Sequence, residues 1–320
     1  MSPGAERIVA EVPPIATPTR AGRAGLALLA SITLLWGFNW PVLKIAVGEM
    51  PVFTFRSISL LIGVVGMFIV CRMEAKPWRL PRADVLPCLY VSIVTITGWN
   101  VASTFGLLYM PPGRASILAF TMPLWAALLA VPMLKERMTA NIIAGLMLGL
   151  AGIALLILPD IRHFAIDPLG PIFMVAAAVS WALGTVGFKL HRWSAPITTI
   201  TAWQFVFGAV PVIIGALIFD HGFSLGGVTW RGWAALVYAS VVCTVYCYWA
   251  WFRVVEVYPA TVAAIGTLGI PVVGVWSSAL VLGEPIGLTE VAALALVLAA
   301  LVTVLILPGL GRKPLTTERR

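Results

Sequence analysis

The chain is a succession of apolar runs, each about as long as a helix that crosses a bilayer, and no stretch between them is long enough to fold separately. A hydrocarbon core about 30 Å thick takes about 20 apolar residues in helical form. Cutting at clusters of charge and turn residues leaves ten runs: 25–47, 51–71, 85–108, 112–134, 140–158, 169–189, 197–219, 232–254, 260–282 and 288–307. The connections are short and charged, among them CRMEAKPWRLPRAD (71–84), KER (135–137) and PDIRHFAIDP (159–168). Composition agrees: 60% of the 320 residues are hydrophobic and 11% are charged, where soluble domains carry about 25% charge. Mean hydropathy is +0.99. The expected fold is an all-α integral membrane protein with ten transmembrane helices.

The first 23 residues are polar and proline-bearing and lack the apolar core of a signal peptide, so the first run is expected to be retained. Lysine and arginine then set the orientation, because basic loops stay on the cytoplasmic side. With the N-terminus inside, only Lys44, Arg114, Arg162 and Arg231 fall outside, Arg56 falls within the second run, and the other sixteen of the 21 lie inside. Both termini are therefore expected in the cytoplasm. The same distribution accounts for the net charge of +8 through basic loops facing anionic lipid, with no nucleic-acid partner. Cys71, Cys88, Cys243 and Cys247 lie in or beside apolar runs and His163, His191 and His221 near run ends, so no metal site is expected.

The stretch LLWGFNWPVLK (34–44) holds more chemistry than an anchor needs. Its echo is VSWALGTVGFK (179–189): Trp36 and Trp181 are 145 apart, as are Lys44 and Lys189. Pro111, Pro123 and Glu136 return 148 positions later as Pro259, Pro271 and Glu284, and the fifth and tenth runs end in LILPD and LILPG. The chain reads as a first five-helix repeat, 25–158, and a second, 169–307, between a cytoplasmic tail, 1–24, and a basic cytoplasmic tail, 308–320. Five is odd, so the halves enter the membrane in opposite senses. That is the inverted-repeat arrangement of many secondary transporters, with substrate near midplane between the repeats.

Three stretches carry a resemblance to a known family: WGFNWPVLK in the first run, AFTMPLWAALLAVPMLKERMT in the fourth and its loop, and GTLGIPVVGVWSSALVLGEPIGLTE in the ninth and its loop. They resemble the EamA family of the drug/metabolite transporter superfamily, over nearly the whole chain from about 25 to 308. The resemblance implies ten helices in two inverted repeats and, for the most part, export of amino acids or other small metabolites; no cofactor is expected. The aromatic-rich first run also looks like the aromatic amino-acid exporters of the YddG type.

Polar groups at membrane depth are costly without partners, which makes them candidate site residues. Trp36, Asn39 and Trp40 share a face of the first helix. Asn100, Ser103 and Thr104 follow helical spacing in the third, beside Trp99. The sixth offers Trp181 and Thr185, and the eighth Tyr246 and Tyr248. These eleven form the candidate substrate-binding set. Each has a competing use as helix–helix glue, where one hydrogen bond contributes about 0.6 to 2 kcal/mol. Pro123 and Pro271 sit at equivalent mid-run positions and are candidate hinges, or static kinks that shape a cavity. Trp78 and Trp230, at run ends, are expected interface anchors. Gly145, Gly149 and Gly152, with Ala295 and Ala299, read as close-packing faces that join the fifth and tenth runs or else two protomers, so a monomer and a homodimer both fit.

All thirteen acids lie in tails, loops or run ends, Glu49, Glu136, Asp220, Glu256 and Glu284 among them. Coupling to protons or sodium is then absent or uses a boundary residue. Arg56 is expected to snorkel outward or pair with Glu49, and Lys44 and Lys189 to be interfacial; were all three to line the cavity, a sugar phosphate would become the fitting cargo. An uncharged aromatic cavity suits a zwitterionic amino acid. The leading function is a secondary transporter, not an enzyme, that exports small metabolites, amino acids including aromatic ones, by alternating access across a bacterial inner membrane. A nucleotide-sugar or sugar-phosphate carrier is the alternative within transporters. An intramembrane enzyme or lipid-handling protein is the alternative outside them, and it lacks the nucleophile–base or metal pair such chemistry needs.

Overall fold

Proline sets where several helices begin. Pro51, Pro81, Pro111 and Pro196 each stand in extended backbone immediately before a helix, with φ between −56° and −62°. There the missing N–H costs nothing, because the first helical turn has no partner for it. The computed structural model describes residues 20–135, 138–157, 168–257 and 269–306. Glu136, His163, Pro259 and the basic C-terminal tail lie outside the described residues, as does the side chain of Glu256.

The described elements are all helical: α1 Arg20–Glu49, α2 Val52–Met73, α3 Arg82–Tyr109, α4 Pro112–Ala119, α5 Met122–Leu134, α6 Ala140–Ile157, α7 Leu169–Leu190, α8 Ile197–Phe219, α9 (230–257), α10 Gly269–Leu282 and α11 Leu288–Leu301. Seven segments are long and apolar enough to cross a membrane: α1, α2, α3, α4 with α5, α7, α8 and α9; α6, α10 and α11 are shorter apolar helices.

Two features of the helices depart from a simple reading of the runs. The fourth run is broken at Phe120–Thr121, and Pro123 opens the second piece, so it stands in the first turn of α5 and not within a continuous kinked helix. Both α3 and α9 widen into π-helix, over Ile93–Gly98 and Tyr238–Tyr246, and the two π segments start 145 residues apart. Pro41, in contrast, does not break α1. Pro41 has no N–H for the Gly37 carbonyl four residues back, and that carbonyl accepts instead from Ser277 Oγ at 3.4 Å.

The helices pack in a pattern with a reciprocal form. α1 lies against α9 and α10, while α7 lies against α3, α4 and α5; α2 pairs with α8, and α6 with α11. A Cβ on Gly37 would meet the Val273 Cβ at 2.4 Å, which shows how closely α1 and α10 approach. Leu60, Met67 and Cys71 on α2 interlock with Ala202, Phe205, Ala209 and Val212 on α8. The glycines of α6 do face α11: Cβ atoms at Gly145 and Gly152 would meet Val304 Cγ2 at 2.2 Å and Val297 Cγ2 at 3.1 Å. The facing stripe of α11 is Ala293, Val297 and Ala300, and the expected Ala295 and Ala299 are exposed instead. An alanine-rich helix gives no amphipathic contrast from which to read its buried face.

Boundary acids hold the helix ends together. Asp220, after α8, accepts from Thr54 N at 2.7 Å and Thr54 Oγ1 at 2.8 Å, in the first turn of α2. At the opposite end of the pair, Glu74 accepts from Thr198 Oγ1 at 3.3 Å on α8 and from Arg253 Nη2 at 2.8 Å on α9. Helix N-termini carry unpaired N–H groups and a partial positive charge, so a carboxylate from a neighbouring helix caps them well. Trp78 and Trp230 are 61% and 75% exposed near helix ends.

Candidate functional site

Each half's first tryptophan meets an aromatic ring on the other half's third run. Trp36 on α1 packs edge-on against Tyr248 of α9 at 5.8 Å and lies 6.2 Å from Trp251. Trp181 on α7 packs edge-on against Trp99 of α3 at 5.2 Å. Such offset pairs contribute about 0.5 to 1.5 kcal/mol beyond area burial.

The π segments explain how the tryptophan helices dock. A π turn disturbs the regular i→i−4 ladder and frees carbonyls for other donors. Trp36 Nε1 donates to the Cys243 carbonyl in the α9 π segment at 3.0 Å. Ser180 Oγ, beside Trp181, donates to the Val94 carbonyl in the α3 π segment at 2.6 Å. Asn100 Nδ2 takes the Ile96 carbonyl of the same segment at 2.8 Å. No side-chain pattern marks a π turn in advance, so these docking points were not legible in the sequence.

Arg56 is the correction at the site. It does not snorkel or pair with Glu49: its side chain turns inward, 5% exposed, and Nε donates to Thr104 Oγ1 at 2.5 Å. The Thr104 hydroxyl donates in turn to the Asn100 carbonyl at 2.5 Å. Tyr248 and Cys243, both contacts of Trp36, are ionisable groups that interact electrostatically with the guanidinium. Arg56 thus joins Trp36, Asn100, Thr104 and Tyr248 into one neighbourhood drawn from α1, α2, α3 and α9. Asn39 Oδ1 and Ser57 Oγ are buried without a hydrogen-bond partner, a costly state in an apolar surrounding.

Other candidates stand differently. Trp40 is buried in the largest apolar cluster, against Gly274 of α10. Ser103 is buried and turns back to the Asn100 carbonyl at 3.5 Å. Tyr246 shares a 2.9 Å hydrogen bond with Ser31, a turn and more before Trp36. Thr185 is exposed and bonded to the Trp181 carbonyl at 2.9 Å. Pro271 is the third described residue of α10, and Pro123 lies in the first turn of α5.

Several other charges are committed to structure. Glu49 accepts from Thr229 N at 2.8 Å and Thr229 Oγ1 at 2.6 Å, at the start of α9. Asp84, fully buried at the start of α3, accepts from His191 Nε2 at 2.9 Å, Ser194 Oγ at 2.8 Å and Ala195 N at 2.9 Å. Glu49 and Ser194 are 145 apart, and so are Asp84 and Thr229, with carboxylate and hydroxyl exchanged. Lys44 is no free interfacial stop: its ammonium caps the carbonyls of Leu107 and Met110 at the end of α3. Lys189 is exposed. Glu284 accepts from Gly113 N at 3.1 Å, and burial pushes its carboxyl above the usual range against the pull of Gly113, Lys44 and Arg114.

Known proteins place this arrangement. The model of the EamA-like transporter family matches residues 23–158 and again residues 168–306. The chain belongs to the EamA-like transporter family. Among curated relatives, uncharacterized transporter YvbV of Bacillus subtilis is 29% identical over 277 residues, 86% of this chain and 89% of the relative. Uncharacterized transporter YoaV of the same organism is 25% identical over 259 residues, 81% and 88% of the two chains. A probable amino-acid metabolite efflux pump of Escherichia coli is 27% identical over 267 residues, 81% and 86%. One solved crystal structure matches with a TM-score of 0.65 at 19% identity, covering 91% of this chain and 99% of the other, which supports the fold alone. The protein is therefore a multi-pass membrane transporter of small molecules and not an enzyme.

Proposed function

We propose that this transporter exports amino acids, aromatic ones included, across a bacterial inner membrane by alternating access between two inverted five-helix repeats that together make ten crossings. The observation that carries the reading is the reciprocal docking of Trp36 on the α9 π segment and of the α7 tryptophan region on the α3 π segment. Exchange of roles between halves is what two nearly equivalent conformations require, since each half can adopt the other's shape. The carboxylate–hydroxyl ties that repeat with roles exchanged at 145 residues add support, as does the E. coli relative's name, probable amino-acid metabolite efflux pump.

The substrate cavity then lies between the bundle of α1, α9 and α10 and the bundle of α3, α4, α5 and α7. Trp36, Asn39, Trp99, Asn100, Trp181 and Tyr248 form its walls. The break before Pro123 serves as a hinge, because the interrupted helix there already lacks the hydrogen bonds a bend would cost, and Pro271, its equivalent in the second repeat, serves as the other. Amino-acid cargo is favoured over a sugar phosphate by the charge inventory: of Lys44, Arg56 and Lys189, only Arg56 is buried at the site.

Proteoliposomes loaded with unlabelled amino acids should take up the labelled forms by counterflow, most strongly the aromatic ones, and excess glucose 6-phosphate should not inhibit. Uptake no greater than in empty liposomes for every amino acid would end the amino-acid reading.

A further inference from the structure

We infer that Arg56 is the docking point for the carboxylate of the transported molecule, and this rests on the amino-acid reading above. A guanidinium presents five N–H donors in a planar fork that matches a carboxylate. At 5% exposure only Nε has a hydrogen-bond partner, Thr104 Oγ1, and no carboxylate among the described residues lies within ion-pair distance. Ion pairs among the described residues sit near helix ends, as Arg114 with Glu290, Arg253 with Glu74 and His191 with Asp84 do. Boundary acids at the helix ends are engaged elsewhere: Glu49 with Thr229, Asp220 with Thr54 and Glu284 with Gly113.

A buried charge is ordinarily retained with a counter-charge, because desolvation costs several kcal/mol per ion. Here the protein supplies a phenol, a thiol and the Phe55 ring, whose centroid is 5.0 Å from the guanidinium carbon, and none of these is an anion at neutral pH. The missing partner is therefore the cargo. One cation with no second nearby suits a singly charged carboxylate, since Lys44 is turned away onto the α3 carbonyls. The Trp36–Tyr248 pair beside it gives an apolar side chain a surface to rest on.

The test compares phenylalanine with phenylalaninamide, which keeps ring and amine and lacks the carboxylate. Wild-type proteoliposomes should show counterflow of labelled phenylalanine, and phenylalaninamide should compete at least tenfold more weakly. Arg56→Gln should reduce the counterflow roughly ten- to hundredfold, as loss of a charge-assisted contact does. In detergent, the melting temperature of Arg56→Gln without ligand should equal or exceed that of the wild type, while the upward shift given by phenylalanine disappears. A purely structural arginine would do the reverse. If Arg56→Gln fails to fold, the amide comparison on the wild type still decides. Phenylalaninamide that competes as well as phenylalanine, or counterflow that survives Arg56→Gln, overturns the assignment alone. Glucose 6-phosphate carried in place of phenylalanine overturns it in favour of a phosphate. A wild type that carries no amino acid defeats the parent reading, and this assignment with it.

Discussion

Trp36 combines two functions in one side chain: its ring faces Tyr248, and its N–H is anchored on the Cys243 carbonyl. Truncating it or Trp181 to alanine should lower amino-acid counterflow roughly tenfold through loss of the aromatic contact. The yield of folded protein should be retained in both. Unchanged flux in both variants would remove these rings from the site. Glu284 supplies a second test at this scale, through pH. Because its folded carboxyl is pushed above the ordinary value of about 4.3, the folded chain binds that proton more tightly than the unfolded chain. Its contribution to stability therefore falls as pH rises from the ordinary carboxylate range through the raised folded value. Melting curves in detergent should show the wild type losing more stability than Glu284→Gln across that window. Parallel curves would mean that the carboxyl titrates normally.

At the scale of elements, carboxylates from one helix cap the beginning of another. Asp84 is the most heavily used, and Asp84→Ala leaves several buried donors unmatched, at about 1 to 3 kcal/mol for a buried group. A drop of several degrees in melting temperature is expected, with Asp84→Asn closer to wild type because one acceptor oxygen remains. An unchanged melting temperature for Asp84→Ala would show that water replaces the cap. The helices themselves are legible from the apolar runs: the second run, 51–71, forms Val52–Met73. The break at Phe120–Thr121 and the π segments are not, since both depend on which carbonyls find side-chain donors across the interface. Arg56 departs from its expected orientation for a related reason. Sequence gives its depth in the run, whereas the contact with Thr104 decides which way it turns.

For the whole molecule, contacts cross between the halves at every level, from α1 on α9 and α10 to α7 on α3, α4 and α5. The moving bodies we propose are therefore these mixed bundles, each built from both repeats, with the cargo held where they meet. Alternating access then makes one site reachable from one side at a time, so cargo bound on the far side speeds its return. The most direct measurement is efflux of labelled phenylalanine from proteoliposomes with and without unlabelled phenylalanine outside. The account predicts protein-dependent efflux that accelerates and saturates as the external concentration rises. Protein-dependent efflux that ignores the outside concentration would describe a pore, and would contradict it.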